Sequence, residues 1–435
     1  MAHLGVFSLP HLGHLGPMAG LAHTLISRGH DVTFYGLPEF GPLVEARGLK
    51  FQPYGLNGLQ HGTYTEQSRN LSTLAGRAAT TASLQILIDQ AQLFFEEAPG
   101  ILETAGLDLM LVDQLDYPAA TWATITRRPF VTLIPALLRN DEPGVPGFGP
   151  ESWPMDPEAQ VRDLAYKKGM REMLTPFLDY LTRIRQQAGL GPFSYDHLWS
   201  NLAQISHQPA EFEYPREQLP PCFHFTAPFA RGDRRPPVPF PWEKLDGRPL
   251  IYAGFGTTQH RHRRLYEVVL EVAPRLDAQV VLSLGGAELD MLPSQIPANV
   301  IVVPFAPQLD ILKKATLMIT HAGMNATLEC LSAGVPMVAL PIAHDQPGVS
   351  ARIVWTGTGV RIPAEGCEPV QLETMIREVW QNPSYRLAAR RFQDLLAPRD
   401  GLGQAADIIE QVLRTGRPVL RQDPTTTRPS GNLPL

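Results

Sequence analysis

Residues Phe305 to Gln346 read FAPQLDILKKATLMITHAGMNATLECLSAGVPMVALPIAHDQ, and this stretch decides the fold. The apolar run Thr316–Thr320 has the composition of a buried strand. His321 and Gly323 follow at once, and Leu328 and Leu331 then recur at helical spacing up to Gly334. Pro336–Leu340 is a second apolar run, so the segment is predicted to be a strand–helix–strand unit whose helix opens beside the carboxyl end of its first strand. Ligands of α/β folds bind there. The amides of Met324, Asn325 and Ala326, with the positive end of the helix dipole, favour an anion, most naturally a phosphate. His321 and Asn325 add side-chain donors, and Glu329, one turn further on, suits the two hydroxyls of a ribose. Phe305 and Gln308, upstream, have the chemistry to stack on a base and bond it. The same spacing also fits an ordinary βαβ unit with a capped helix.

The chain around this unit repeats its rhythm. His3–Ser8 reads as a strand, PHLGHLGP as a loop, and Met18, Leu21, Ala22, Leu25 and Ile26 as one helix face ending at Gly29. Strands are expected at Asp31–Tyr35, around Phe51, at Leu107–Val112 and at Phe130–Leu133, with a long helix over 80–104. A helical, apolar-rich block from Glu158 to Gln187 interrupts the pattern; it is either a substrate-pocket insertion or a packing subdomain. The Pro-rich stretch ending RRPPVPFPW reads as a linker, and the rhythm then restarts with strands at Leu250–Ala253, Val280–Leu284 and Val300–Val303. The expected division is a first domain over 1–215, a linker over 216–242, a second domain over 243–415 and a disordered tail over 416–435. Each domain is α/β with a parallel sheet.

Composition excludes several function classes. A net charge of −6 gives no basic footprint for nucleic acid. Three scattered cysteines, Cys222, Cys330 and Cys367, form no CxxC pair and argue against a disulfide framework or a zinc site. With neither a cationic leader nor an apolar run of about 18 residues, the expected location is cytoplasmic, with peripheral membrane contact left open.

His14 follows the first strand at its carboxyl end, where a histidine is suited to take a proton from an alcohol. Asp113 ends the strand LMLVD at the same edge and would fix the imidazole tautomer, although Asp116 stands close enough in sequence to take that role. Gly254–Thr257 (GFGT) is a small-residue turn after a strand; Gly256 lets the backbone approach a diphosphate and Thr257 offers a hydroxyl. Asp345 and Gln346 fall after the next strand, within reach of sugar hydroxyls.

These residues carry a resemblance. The stretch from Ala306, Pro307 and Gln308 through His321, Gly323, Asn325, Thr327, Leu328, Glu329, Gly334 and Pro336 to Asp345 and Gln346 resembles the donor-binding signature of the UDP-glycosyltransferase superfamily. It departs at Phe305, Met324 and Ala326, where the plant signature has Trp, Trp and Ser. GHLGPM, on Gly13, His14, Pro17 and Met18, resembles the superfamily's G-H-x-x-P-M, whose histidine deprotonates the acceptor. VDQLDYPAA, LAQISHQPAEFEYPREQLPPCFH and LPIAHDQPGVSARIV extend the likeness to the bacterial zeaxanthin glucosyltransferases.

The resemblance implies a GT-B fold, two Rossmann-like domains facing across a cleft. It also implies inverting transfer of a hexose, expected to be glucose from UDP-glucose, to a hydroxyl of a lipophilic acceptor such as a hydroxy-carotenoid. Catalysis would fall to His14 and Asp113, and donor binding to Gly256, Thr257, Phe305, Gln308, His321, Gly323, Asn325, Glu329, Asp345 and Gln346. The absence of any Asp-x-Asp pair points to a metal-independent enzyme without a cofactor, the UDP-sugar being a substrate. A macrolide, sterol or flavonoid acceptor, a sugar-nucleotide 2-epimerase and a non-catalytic nucleotide-sugar-binding protein are the alternatives.

Overall fold

A computed structural model describes residues 1–59, 62–193, 199–229, 235–258 and 260–421. The first sheet holds β1 (His3–Phe7), β2 (Asp31–Gly36), β3 (Lys50–Pro53), β4 (Leu109–Asp113), β5 (Phe130–Ile134), β6 (Gln204–Ser206) and β7 (Phe223–Phe225). Its order is β3-β2-β1-β4-β5-β6-β7 with parallel pairings throughout. The second holds β8 (Leu250–Gly254), β9 (Gln279–Ser283), β10 (Val300–Val303), β11 (Ala315–Thr320), β12 (Met337–Ala339) and β13 (Gly359–Arg361), ordered β10-β9-β8-β11-β12-β13 and again parallel. Helices cover both faces, so a central strand such as β4 is buried at every position and reads as an apolar run rather than an alternation.

In both sheets the strand order reverses direction at one point, between β1 and β4 and between β8 and β11. At such a reversal the helices after the two strands leave on opposite faces, and a crevice opens outside the carboxyl ends. At these carboxyl ends lie His14, in the first turn of α1 after β1, Asp113, the last residue of β4, and Gly256 and His321, in the loops after β8 and β11.

The helices are α1 (Leu12–Ser27), α2 (Gly41–Glu45), α3 (Tyr64–Leu71), α4 (Gly76–Thr104), α5 (Tyr117–Thr126), α6 (Pro157–Gln187) and α7 (Arg263–Val272). They continue with α8 (Gln308–Leu312), α9 (Met324–Ala333), α10 (Gln346–Trp355), α11 (Pro369–Gln381), α12 (Pro383–Leu396) and α13 (Gly401–Thr415). Much of the helical block read at 158–187 serves packing. Leu174, Phe177 and Leu181 of α6 are buried against Leu84 and Ala91 of α4 and Tyr117 of α5, and Phe177 stacks on Tyr117 at 5.3 Å. Val161 and Leu164, nearer its start, are exposed.

Three features differ from the sequence reading. Strand β7 lies inside the stretch assigned to the linker; it pairs on one side only, as the last strand of its sheet, and Pro220 and Pro221 before it are compatible with an edge position. Helix α13, assigned to the second domain, buries Leu402, Ala405, Ala406, Ile409 and Val412 in one cluster with Leu15, Met18 and Leu21 of α1. Arg28 and His30 bond Glu410 at its far side. The first residues assigned to the tail continue that docking: Val419 N donates to Leu202 O at 2.8 Å and Arg421 N to Pro221 O at 2.8 Å. Residues 422–435, the rest of that tail, lie outside the described residues.

A buried ion pair also ties the halves together. The Arg352 guanidinium, on α10 and fully buried, donates to Glu213 Oε1 at 2.5 Å and Oε2 at 3.1 Å. It lies 4.2 Å over the Tyr214 ring and also bonds the Gly147 and Pro146 carbonyls of the first half.

Candidate active site

His14 was expected in a loop; it sits in the first turn of α1. His14 Nδ1 lies 2.6 Å from Asp113 Oδ2, and Asp113 Oδ1 accepts from the Leu115 amide at 2.9 Å. The carboxylate therefore holds the ring with Nε2 as the nitrogen left to take a proton. Burial lowers the basicity of His14, but the charge and hydrogen bond of Asp113, helped by Asp345, outweigh it and raise its pKa above the usual 6.5. Asp116 plays a different part. It caps α5 by accepting from the Ala119 amide at 3.1 Å, and burial drives its pKa up to about 7 despite that bond. It lines a narrow pocket with Ser8, Leu37, Tyr54, Leu87 and Gln90 at the carboxyl edge of the first sheet.

Across the cleft, β11 turns into α9 through Ala322, whose φ of +62° is sparsely populated for a residue with a Cβ. That turn places His321 beside the GFGT loop. A Cβ on Gly256 would come within 2.6 Å of His321 Nε2, and one on Gly323 within 2.5 Å, so side chains at either position would cover this nitrogen. Burial lowers the His321 pKa to about 4, the Gly254 backbone opposing it. His321 is thus neutral at pH 7 and offers an N–H dipole rather than the positive charge a histidine suggests in the sequence. The first amides of α9 lie beside it. Thr257 stands in the same loop, its carbonyl 2.9 Å from His260 Nδ1.

The remaining donor-side residues fall into four groups. The Phe305 ring is 45% exposed and available for stacking. Gln308 is tied to the carboxylate: its Nε2 donates to Glu329 Oε2 at 2.6 Å while Tyr252 Oη donates to its Oε1 at 3.1 Å. Gln346 is a loop brace, its Oε1 accepting from the Ile342 and Ala343 amides at 2.7 and 3.0 Å.

Asn325 and Asp345 reach the other half. Asp345 Oδ2 accepts from Leu137 N at 3.1 Å, and Asn325 Nδ2 donates to Gly13 O at 2.5 Å. The second bond has a cause in sequence. Gly13 O would normally accept from the amide four residues on, but that residue is Pro17, which has none, so the carbonyl is left for a partner outside the helix.

Sequence reasoning passed over His344 and Arg235. His344 precedes Asp345, adopts a φ of +59°, and has its pKa lowered by burial while Asp345 opposes and His14 adds to the shift. A histidine beside an acidic residue after β12 is visible in the quoted stretch, but its effect on His14 depends on how the halves meet. Arg235 ion-pairs with Glu329 Oε1 from the Pro-rich segment. Among the described residues no cluster of three or more His, Cys, Asp or Glu side chains is arranged to hold a metal.

Residues 267–402 match the family described as Erythromycin biosynthesis protein CIII-like, C-terminal domain. The chain is 29% identical to a zeaxanthin glucosyltransferase from Pantoea ananas, over 97% of this chain and 98% of that protein. It is 27% identical to a 4′-demethylrebeccamycin synthase from Lentzea aerocolonigenes, over 94% and 99%. Among solved structures, the calicheamicin glycosyltransferase CalG4 superposes with a TM-score of 0.73 at 21% identity, covering 96% of this chain and 100% of that one. The glycosyltransferase VinC, in complex with dTDP, gives 0.69 at 18%, covering 95% and 100%.

Two parallel-sheet domains meeting at a cleft formed by their switch points, matched end to end in this way, define a glycosyltransferase of the GT-B type. Within that class the chain is similar, by the family match and by its sequence relatives, to members of the UDP-glycosyltransferase superfamily.

Proposed function

We propose that the protein transfers glucose from UDP-glucose, with inversion and without a metal ion, to a hydroxyl of a lipophilic acceptor of the hydroxy-carotenoid kind. The observation that carries the reaction class is the 2.6 Å contact between His14 Nδ1 and Asp113 Oδ2 at the mouth of the cleft. His14 Nε2 removes the acceptor proton as its oxygen attacks the anomeric carbon from the face opposite the departing diphosphate. Asp113 holds the ring and stabilises the imidazolium. The UDP leaving group takes its charge onto the α9 amides, His321 Nε2–H, Asn325 and the Gly256–Thr257 loop. Phe305 stacks on the base, Gln308 and Glu329 take the ribose, and Asp345 takes sugar hydroxyls, with Gln346 shaping the loop that carries it.

The carotenoid-like acceptor rests on the two zeaxanthin glucosyltransferases, at 29% and 28% identity over almost the whole chain, including the acceptor-side half. No helix among the described residues is long and apolar enough to cross a membrane. On this reading the enzyme meets its lipophilic acceptor at a membrane surface. The test is incubation with UDP-glucose and a panel of hydroxy-carotenoids, sterols, macrolides and flavonoids, with products read by mass spectrometry and repeated in EDTA. Glucosylated carotenoid formed at an undiminished rate in chelator supports the reading. Turnover of compact aglycones alone overturns the acceptor, and a rate restored by Mg²⁺ overturns metal independence.

A further inference from the structure

Glu329 is 4% exposed and both of its oxygens are engaged. Oε2 accepts from Gln308, itself held by Tyr252; Oε1 is ion-paired with the Arg235 guanidinium. Arg235 is not part of the helix that carries Glu329. It comes 94 residues earlier, at the start of the stretch RPPVPFPW, whose prolines at 236, 237, 239 and 241 hold it extended. Five residues further on, Phe240 packs against the core beneath β11 and α9 and stacks edge-on with Trp242 at 4.6 Å. The guanidinium is thus delivered to Glu329 on a short, stiff tether anchored in the second domain.

A ribose presents its 2′- and 3′-hydroxyls side by side, and both seek acceptors on one carboxylate. With Oε2 bonded to Gln308, the second hydroxyl has to use Oε1, where it meets a charge-assisted contact. We propose that Arg235 is a specificity-determining residue of the donor site, a guanidinium cover on Glu329 that the ribose of a nucleoside diphosphate must displace. It thereby limits how much of the donor's affinity comes from the ribose hydroxyls. This rests on the reading above that Glu329 receives the ribose. A 2′-deoxyribose, having one of the two hydroxyls, competes with Arg235 less, so the cover narrows the difference between ribo- and deoxyribonucleotide donors.

The test is calorimetric titration of the full chain with UDP and with 2′-deoxy-UDP. Arg235→Ala is expected to tighten UDP about 10-fold and 2′-deoxy-UDP distinctly less, a charge-assisted bond to one oxygen having been removed. Arg235→Gln, which keeps a weaker donor, should fall between the two and serves if the alanine variant misfolds. Unchanged UDP affinity in both variants overturns the proposal. Weaker UDP binding does so too, because the guanidinium would then be attracting the diphosphate. Glu329→Gln separates the two claims. If it weakens UDP while the Arg235 variants are neutral, only the cover is wrong; if it leaves UDP binding intact, the ribose assignment falls and the cover with it.

Discussion

The His14–Asp113 pair sets what single substitutions should do. His14→Ala is expected to lower kcat by about 10²-fold or more, the usual worth of a general base, while UDP affinity, read by calorimetry, stays near wild type because the proposed nucleotide site lies on the other domain. A base must be unprotonated, and the His14 pKa is raised above 6.5 by Asp113 and Asp345 against burial. The acid limb of kcat/KM should therefore have its midpoint above 6.5. Asp113→Asn, which removes the charge and keeps the shape, should move that midpoint downward and lower the rate at its plateau. A limb that stays in place in Asp113→Asn would detach Asp113 from the titration of His14. Asp116, the rival in sequence, makes a cap to Ala119 instead, so Asp116→Asn should leave the midpoint nearly where it is.

Helix α1 shows how much of the site could be read in advance. Its apolar face, Met18, Leu21, Ala22 and Leu25, was plain at 3.6-residue spacing, as were the strands, because buried parallel sheets are written as uninterrupted apolar runs. Its first turn reads as a loop because two glycines and a proline mask the helix start. The bond from Asn325 to Gly13 was invisible, because it needs the two domains in place. The partners of Gln308 and Gln346 are hidden for the same kind of reason: side chain identity shows that an amide can form a bond, not that a Glu329 carboxylate or a loop amide is its partner.

The proline itself gives a prediction. Pro17→Ala restores an N–H four residues after Gly13, which completes the helix and competes with Asn325 for the carbonyl. The expected outcome is a melting temperature equal to or above wild type, since proline in a helix is unfavourable. Turnover should fall about 5-fold, the worth of a bond of ~1 kcal/mol. Unchanged turnover would show that the cross-cleft bond does not position His14.

Neither the join between the halves nor the return of α13 onto α1 has a local signature in the chain, because both are made by residues far apart in sequence. Arg352 and Glu213, 139 residues apart, are the buried centre of that join. Burial opposes ionisation of Glu213, but Arg352 and Arg216, with Gln208, more than offset it and hold its carboxyl below the ordinary 4.5. A carboxyl depressed in the fold contributes stability that is complete above its unfolded value and is lost as pH falls through the folded one, so this pair should weaken only below about pH 4.5. Removing one partner of a buried pair strands the other. Arg352→Met is therefore expected to destabilise by about 3–5 kcal/mol, read as a lower urea midpoint at pH 7. Glu213→Leu alone should also be costly. The double variant Glu213→Leu with Arg352→Met, which strands neither charge, should recover part of the loss. If the double variant is as unstable as the sum of the singles, the pair's role is packing around Tyr214 and the 146–147 carbonyls rather than charge, and the pH dependence above should be absent as well.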